Sequence, residues 1–222
     1  MNRPRVLVFD VNQTLSDLGP LADRFADVGA PPQLAQAWFA GVLRDGLALA
    51  ATGQSAPFAE IARHELGSVL RPVLAEDGLA DAVGHVLDGL SSLEVHPDVV
   101  EGVPALRELG IRLVTLSNGA TTLAEQLLTR AGIRDAFDQL LSVEDAGIWK
   151  PASAAYDYAL ESCGVTAGEA MLVAVHPWDI HGAARAGLRT AWLNRDGAIY
   201  PDHFAAPELS PDSLQALAAD LT

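Results

Sequence analysis

The feature that most constrains this chain is its opening apolar run. Arg5-Val6-Leu7-Val8-Phe9-Asp10 is short, rich in β-formers, apolar at every position between its charged ends, and stops at a carboxylate. A strand wetted on one face would alternate polar and apolar residues. An unbroken apolar run fits a strand buried on both faces, as in a parallel sheet covered by helices. Runs of the same kind recur at 112–116, 139–143, 171–175 and 190–193. Between them apolar residues repeat at helical spacing: Val103, Leu106 and Leu109 by threes, Leu123 and Leu127 by four, and a further amphipathic set over 155–163. That alternation predicts parallel strands joined by right-handed crossovers, with ligands at the strands' carboxyl ends.

Residues 16–95 break the rhythm. They contain no convincing strand but several helical stripes: Leu18, Leu21, Phe25 and Val28; Leu34, Trp38 and Val42; Phe58, Ile61, Glu65 and Val69; Val83, Val86, Leu87 and Leu90. Turn residues Pro31-Pro32, Thr52-Gly53 and His96-Pro97-Asp98 punctuate the stretch and mark its return. The expected fold is α/β, a Rossmann-like parallel sheet flanked by helices at 1–15 and 96–222 with a helical cap inserted at 16–95. A chain of 222 residues, 50% hydrophobic, can bury such a core.

Charge narrows the partners. With 29 acidic against 14 basic side chains the formal net charge is −15, so most of the surface offers no footprint for a polyanion and nucleic acid is not an expected partner. A small anionic substrate would have to be drawn by a few local cations and backbone N–H groups. The single cysteine, Cys163, excludes an intrachain disulfide, and no spanning apolar run of about 20 residues or leader-like segment is present. The expectation is a cytoplasmic protein without membrane association, with a homodimer as the possible assembly.

Four polar clusters follow the apolar runs: Asp10-Val11-Asn12-Gln13-Thr14, Ser117-Asn118-Gly119, Lys150-Pro151 and His176-Pro177-Trp178-Asp179. In a parallel sheet they converge on one crevice, bringing together a nucleophilic carboxylate, hydroxyls, an ammonium and a second carboxylate. Singly, Asp10 reads as well as a helix cap and Lys150 as half of a surface ion pair. It is the order of all four that speaks for chemistry. A carboxylate is a poor nucleophile in water and needs positioning and partial desolvation; Lys150 can hold it ionised, while Thr14, Ser117, Asn118 and backbone N–H groups can receive a substrate anion.

In these motifs the chain resembles the haloacid dehalogenase superfamily: Asp10 with Thr14 four residues on, Ser117 ending a strand, Lys150 before Pro151, and Asp179 before a small-residue helix. Leu116-Ser117-Asn118-Gly119, Ser142-Val143-Glu144, Tyr156 six residues after Lys150, and Trp178-Asp179 make it most similar to the 2-haloacid dehalogenase branch. The resemblance implies a hydrolase similar to (S)-2-haloacid dehalogenases. In that reaction Asp10 displaces halide to form an aspartyl ester; Lys150, Asp179, Ser117, Asn118 and His176 assist, and Val11, Asn12, Gln13, Thr14, Phe39, Tyr156 and Trp178 line the substrate. It implies no metal or other cofactor.

Departures from the pattern sharpen the reading. Superfamily phosphatases carry a second Asp where Asn12 stands, to protonate the leaving alkoxide, and a Mg²⁺-binding acid near Ala174 and Val175. Both are missing, which leaves a Mg²⁺-dependent phosphatase, or a non-catalytic small-anion binder, as the rival readings. The dehalogenase branch itself usually has Tyr at position 12, Gly at 13, Ser and Asn at 175 and 176, and a halide-binding Arg directly after a cap Trp. Here Phe39 follows Trp38, and Arg44 lies six residues on at a different azimuth. His176 is open between a general base for ester hydrolysis and a donor replacing Asn. Tyr156 is equally readable as packing, and Trp178 reads as packing before substrate contact. His181 reads as a helix-face residue, and Glu144 and Asp145 as loop charges.

Overall fold

The computed structural model describes residues 3–222; Met1 and Asn2, part of the expected first core segment, lie outside them. Five parallel strands form one sheet: β1 (Val6–Phe9), β2 (Arg112–Ser117), β3 (Gln139–Ser142), β4 (Ala170–Ala174) and β5 (Arg189–Trp192), in the order β3-β2-β1-β4-β5. Every residue of β1 is buried, because neighbours flank it on both edges and helices cover both faces. The strand order reverses at β1, so its carboxyl end, where Asp10 stands, opens on the switch point at which such sheets bind ligands.

The excursion between β1 and β2 is helical, as the stripes predict: α1 (Leu21–Asp27), α2 (Leu34–Ala51), α3 (Phe58–Leu70), α4 (Glu76–Leu90) and α5 (Pro97–Glu108). Trp38 of α2 links the first three. It is fully buried, tilts against Phe25 at a 6.4 Å centroid distance, and donates its Nε1–H to the Ala62 carbonyl at 2.9 Å. The chain leaves and re-enters the sheet through one neck, where Ser16 bridges Val95 antiparallel and the His96 N–H meets the Leu15 carbonyl at 3.0 Å. The remaining helices are α6 (Thr121–Arg130), α7 (Val143–Ala146), α8 (Ser153–Cys163), α9 (Pro177–Arg185) and α10 (Leu214–Asp220). The 139–143 run therefore ends one residue early as a strand: Ser142 Oγ accepts from the Glu144 N–H at 3.0 Å and starts α7.

Helix α2 is rich in Ala and Leu but carries Gly41 and Gly46 in its interior, each costing about 1 kcal/mol of helix propensity. Close approach explains both. A methyl group at Gly41 would overlap the Glu65 carboxylate, and one at Gly46 would overlap the six-membered ring of Trp149, the residue before Lys150. Trp149 is fully buried, stacks on Phe58 at 6.1 Å and 15°, and donates to the Ala56 carbonyl at 2.9 Å. It thus pins α2 and α3 to the loop that carries Lys150. Gly46→Ala is expected to destabilise the protein by about 1–3 kcal/mol through overpacking, read as a lower Tm, whereas alanine at the open Gly84 of α4 should not.

Candidate active site

Asp10 ends β1 with its backbone N–H on the Val173 carbonyl at 3.1 Å, so the sheet itself aims its side chain into the crevice. The residue is 3% exposed. Its Oδ1 accepts from Lys150 Nζ at 3.0 Å and its Oδ2 from Thr14 Oγ1 at 2.7 Å. Thr14 in turn accepts the Val175 N–H at 3.1 Å, which ties the β4 loop to the loop that follows Asp10. Gln13 sets that loop's turn with a left-handed backbone, φ 64°. For a residue with a side chain this costs about 1–2 kcal/mol, and the turn is held by two bonds: Gln13 N–H to Ser16 Oγ at 3.3 Å and His96 Nε2–H to the Gln13 carbonyl at 2.9 Å.

Lys150 is not a surface ion pair. It is fully buried between two carboxylates, with Nζ 2.6 Å from Asp179 Oδ2 as well as 3.0 Å from Asp10. Asn118 holds it from the neighbouring strand end, its Oδ1 accepting the Lys150 backbone N–H at 3.1 Å. Asp179 is equally buried, and its Oδ1 takes the Tyr156 hydroxyl at 2.6 Å. Burial alone would push the Asp10 carboxyl up, but the Lys150 charge, the His176 ring and the Thr14 hydrogen bond hold it below its ordinary value. Burial opposes the Lys150 ammonium too, and the two carboxylates outweigh it and raise the group. At Asp179 burial prevails and is helped by the Asp10 charge, so this carboxyl is raised. The lowered carboxyl is thus the one that follows β1.

His176 closes the crevice on the other side. Its Nε2 lies 3.2 Å from the Asn12 carbonyl and 3.7 Å from Asp10 Oδ2. Both neighbours only accept, so Nε2 carries a hydrogen. The ring sits in a ladder, stacked on Trp178 at 5.1 Å and on Phe39 of α2 at 6.3 Å. Phe39 and Trp178 therefore touch the site through His176.

The other expected site residues fall into two groups. Val11, Asn12 and Ser117, with Gly119 and Phe58, line a small cavity of about 20 Å³, and Ser117 Oγ accepts the Gly119 N–H at 2.9 Å. Tyr156, by contrast, lines neither this cavity nor the larger one described below; it is wholly buried behind Asp179, because its hydroxyl is taken by that carboxylate and by the Asp179 carbonyl at 3.1 Å. Burial first, and Asp179 next, raise the phenol well above its ordinary value, so it stays a donor. Arg44 points away as its azimuth predicts, 68% exposed and paired with Asp45 at 2.8 Å and Glu65 at 3.2 Å. Glu144 and Asp145 are exposed, and His181 Nδ1 accepts the Ala205 N–H at 3.0 Å. Sequence reasoning missed Trp149 and the contact of His96 with Gln13. Glycines inside an otherwise strong helix were the signal for Trp149.

A cavity of about 860 Å³ lies beside Asp10 and not on it: Gln13, Phe39, His96, Val175 and His176 line it, and His176 Nε2 is 3.7 Å from Asp10 Oδ2. The donors do not fit a Mg²⁺ ion. Both Asp179 oxygens are taken by Lys150 and Tyr156, both Asp10 oxygens by Lys150 and Thr14, and an ammonium already stands between the two carboxylates. Among the described residues no three His, Cys, Asp or Glu side chains gather as a metal-binding set.

Comparison with known proteins agrees with this geometry. The family model for haloacid dehalogenase-like hydrolases matches residues 4–187. (S)-2-haloacid dehalogenase 4A of Burkholderia cepacia is 30% identical over 217 residues, 96% of this chain and 93% of that protein. Haloacetate dehalogenase H-2 of Moraxella sp. (strain B) is 31% identical over 125 residues, and there the matched segment is about half of either protein, 56% of each. The structure of L-2-haloacid dehalogenase from Xanthobacter autotrophicus with chloropropionic acid covalently bound superposes with a TM-score of 0.83 at 25% identity, covering 97% of both chains. No described helix is long and apolar enough to cross a membrane. A buried carboxylate at the switch point, a helical excursion from the end of β1 and a near full-length match together place this chain among the haloacid dehalogenase-like hydrolases, on their L-2-haloacid dehalogenase branch.

Proposed function

We propose that the protein hydrolyses a small 2-haloalkanoic acid to the 2-hydroxy acid, with residues 16–95 acting as the cap over a core of 1–15 and 96–222. A carboxylate oxygen of Asp10 attacks C2, the carbon–halogen bond breaks, and halide leaves with its electron pair. Water then adds to the Asp10 carbonyl carbon and releases the hydroxy acid, with one inversion at C2. The observation that carries this reading is the buried Asp10–Lys150–Asp179 row, which keeps Asp10 ionised out of water. Support comes also from the Xanthobacter relative, which holds chloropropionic acid covalently. Halide needs no proton to leave, so Asn12 suffices where a phosphatase needs an acid.

Thr14 orients the nucleophile, Ser117, Asn118 and the backbone after Val11 receive the substrate carboxylate, and Phe39 and Trp178 hold His176. Both Asp179 oxygens are occupied and out of reach of water, which leaves His176 to activate the hydrolytic water. In that role the ring releases Nε2 from the Asn12 carbonyl, carries its hydrogen on Nδ1 and takes the water's proton at Nε2. His176→Asn is therefore expected to show a burst of halide release and then slow turnover, with the trapped adduct seen as added mass on Asp10 by rapid quench and intact-protein mass spectrometry. A steady rate near wild type without adduct would make His176 a donor only.

The whole reading is tested by one panel: chloro-, bromo- and fluoroacetate, both 2-chloropropionate enantiomers and p-nitrophenyl phosphate, each with EDTA and with Mg²⁺. Halide release indifferent to EDTA is expected. Phosphate release restored by Mg²⁺, with no dehalogenation, would replace the reading with the phosphatase one, and binding without any product would leave an anion binder.

A further inference from the structure

The cavity beside His176 is too large for a haloacetate or halopropionate. At about 860 Å³ it falls in the upper part of the range, about 300–1,000 Å³, that holds drug-sized ligands. Its wall is dominated by apolar side chains, among them Leu18, Leu21, Phe39, Leu43, Trp192 and Leu193. Its charged groups discourage a second anion. The Arg195 charge is balanced by Asp98 through two bonds of 2.9 and 3.1 Å, although its buried Nη1 has no partner, and Asp17 and Asp196 are themselves acidic. His96, with burial as the main cause, is held below the ordinary imidazole value and adds no cation. The cavity reaches the nucleophile at one place, His176, which lines it and lies 3.7 Å from Asp10. The Phe39–His176 stack there, 6.3 Å between centroids, is near the loose end of the range for ring pairs, about 4.5–7 Å.

From this we propose that the preferred substrate is a 2-haloalkanoate with an unbranched, uncharged hydrocarbon side chain several carbons long, the chain passing His176 and lying in this cavity. This rests on the dehalogenation reading for the reaction and goes beyond it in naming the side chain. A chain of that kind buries methylenes against the wall, so each added carbon should raise kcat/KM by about fourfold until the cavity is filled.

The test uses wild-type protein with (S)-2-bromopropionate, -butanoate, -hexanoate and -octanoate, alongside calorimetric binding of unhalogenated butanoate and octanoate. Rising kcat/KM from propionate to hexanoate, and octanoate at least tenfold tighter than butanoate, are expected. Ala22→Phe and Ala35→Leu, which fill the cavity without touching the proposed chemistry, should flatten both series and leave 2-bromopropionate within about threefold of wild type; if the first variant does not fold, the second decides. Propionate turnover with a flat series and no octanoate preference would overturn the cavity's role while sparing the reaction. Octanoate binding that the variants abolish, without hydrolysis of any bromoacid, would uphold the cavity and sink dehalogenation instead.

Discussion

Asp10→Asn should abolish halide release, with a loss on the order of 10⁵-fold or more in kcat, the scale seen when a nucleophile is removed from an otherwise intact site. The amide keeps the shape of the carboxylate: its oxygen can face Lys150 Nζ at the 3.0 Å position and its NH₂ the Thr14 hydroxyl, which accepts as well as donates. Lys150 keeps Asp179 at 2.6 Å, and the ammonium is not left without a counter-charge. The Tm should therefore stay within a few degrees of wild type while activity disappears. Activity within tenfold of wild type would remove Asp10 from its role, and a collapsed Tm would make the assay uninformative about chemistry, in which case Asp10→Ser serves as the second variant.

Lys150→Met should do two things at once. Removing the only cation between two buried carboxylates leaves them uncompensated, which costs about 3–5 kcal/mol of stability. It also removes the charge that holds Asp10 ionised, so kcat should fall by at least on the order of a hundredfold. The pH dependence has a definite sign. Without the ammonium the folded-state pKa values of the buried carboxyls rise above their unfolded values, so stability is retained below the unfolded values and lost as pH rises through the folded ones. The variant should come closest to wild-type stability in acid, below the ordinary carboxylate values, and fall furthest behind once the pH has passed the raised folded-state values. Chemical denaturation across pH measures this; a pH-independent difference would contradict it, and a change confined to KM would make Lys150 a substrate anchor.

The parts of the fold legible in the sequence are those whose burial is two-sided. β1, β2, β4 and β5 show as unbroken apolar runs because helices cover both faces of the sheet, and α1 to α4 show as stripes because each buries one face. What could not be read is contact across long sequence separation. Trp149 and Gly46 are a hundred residues apart, and only the unexplained glycine in α2 hints that another element approaches. Tyr156 could be placed on a helix but not behind Asp179, since the periodicity of α8 says which face is buried and nothing about what lies opposite. α10 went unread because its short run gains its stability from packing on α5, where Gly102 admits Leu214.

The candidate site divides in the same way. Asp10, Thr14, Ser117, Lys150 and Asp179 were visible because each ends a strand or follows one, and the sheet brings strand ends together. The division of labour among them was not visible. That Asp179 spends both oxygens on Lys150 and Tyr156, and that Phe39 reaches the chemistry only through the His176 ring, depends on side-chain packing that no spacing encodes.

The covalent role of Asp10 is tested most directly by a single turnover in ¹⁸O water with enzyme in excess over (S)-2-chloropropionate, followed by mass spectrometry of the peptide that contains Asp10 and of the lactate released. Water attacking the ester carbonyl places the heavy oxygen on Asp10 and leaves the first lactate unlabelled, which is the expected result. Label in the lactate with none on Asp10 would mean that water attacks C2 itself, and the aspartyl ester would have to be abandoned.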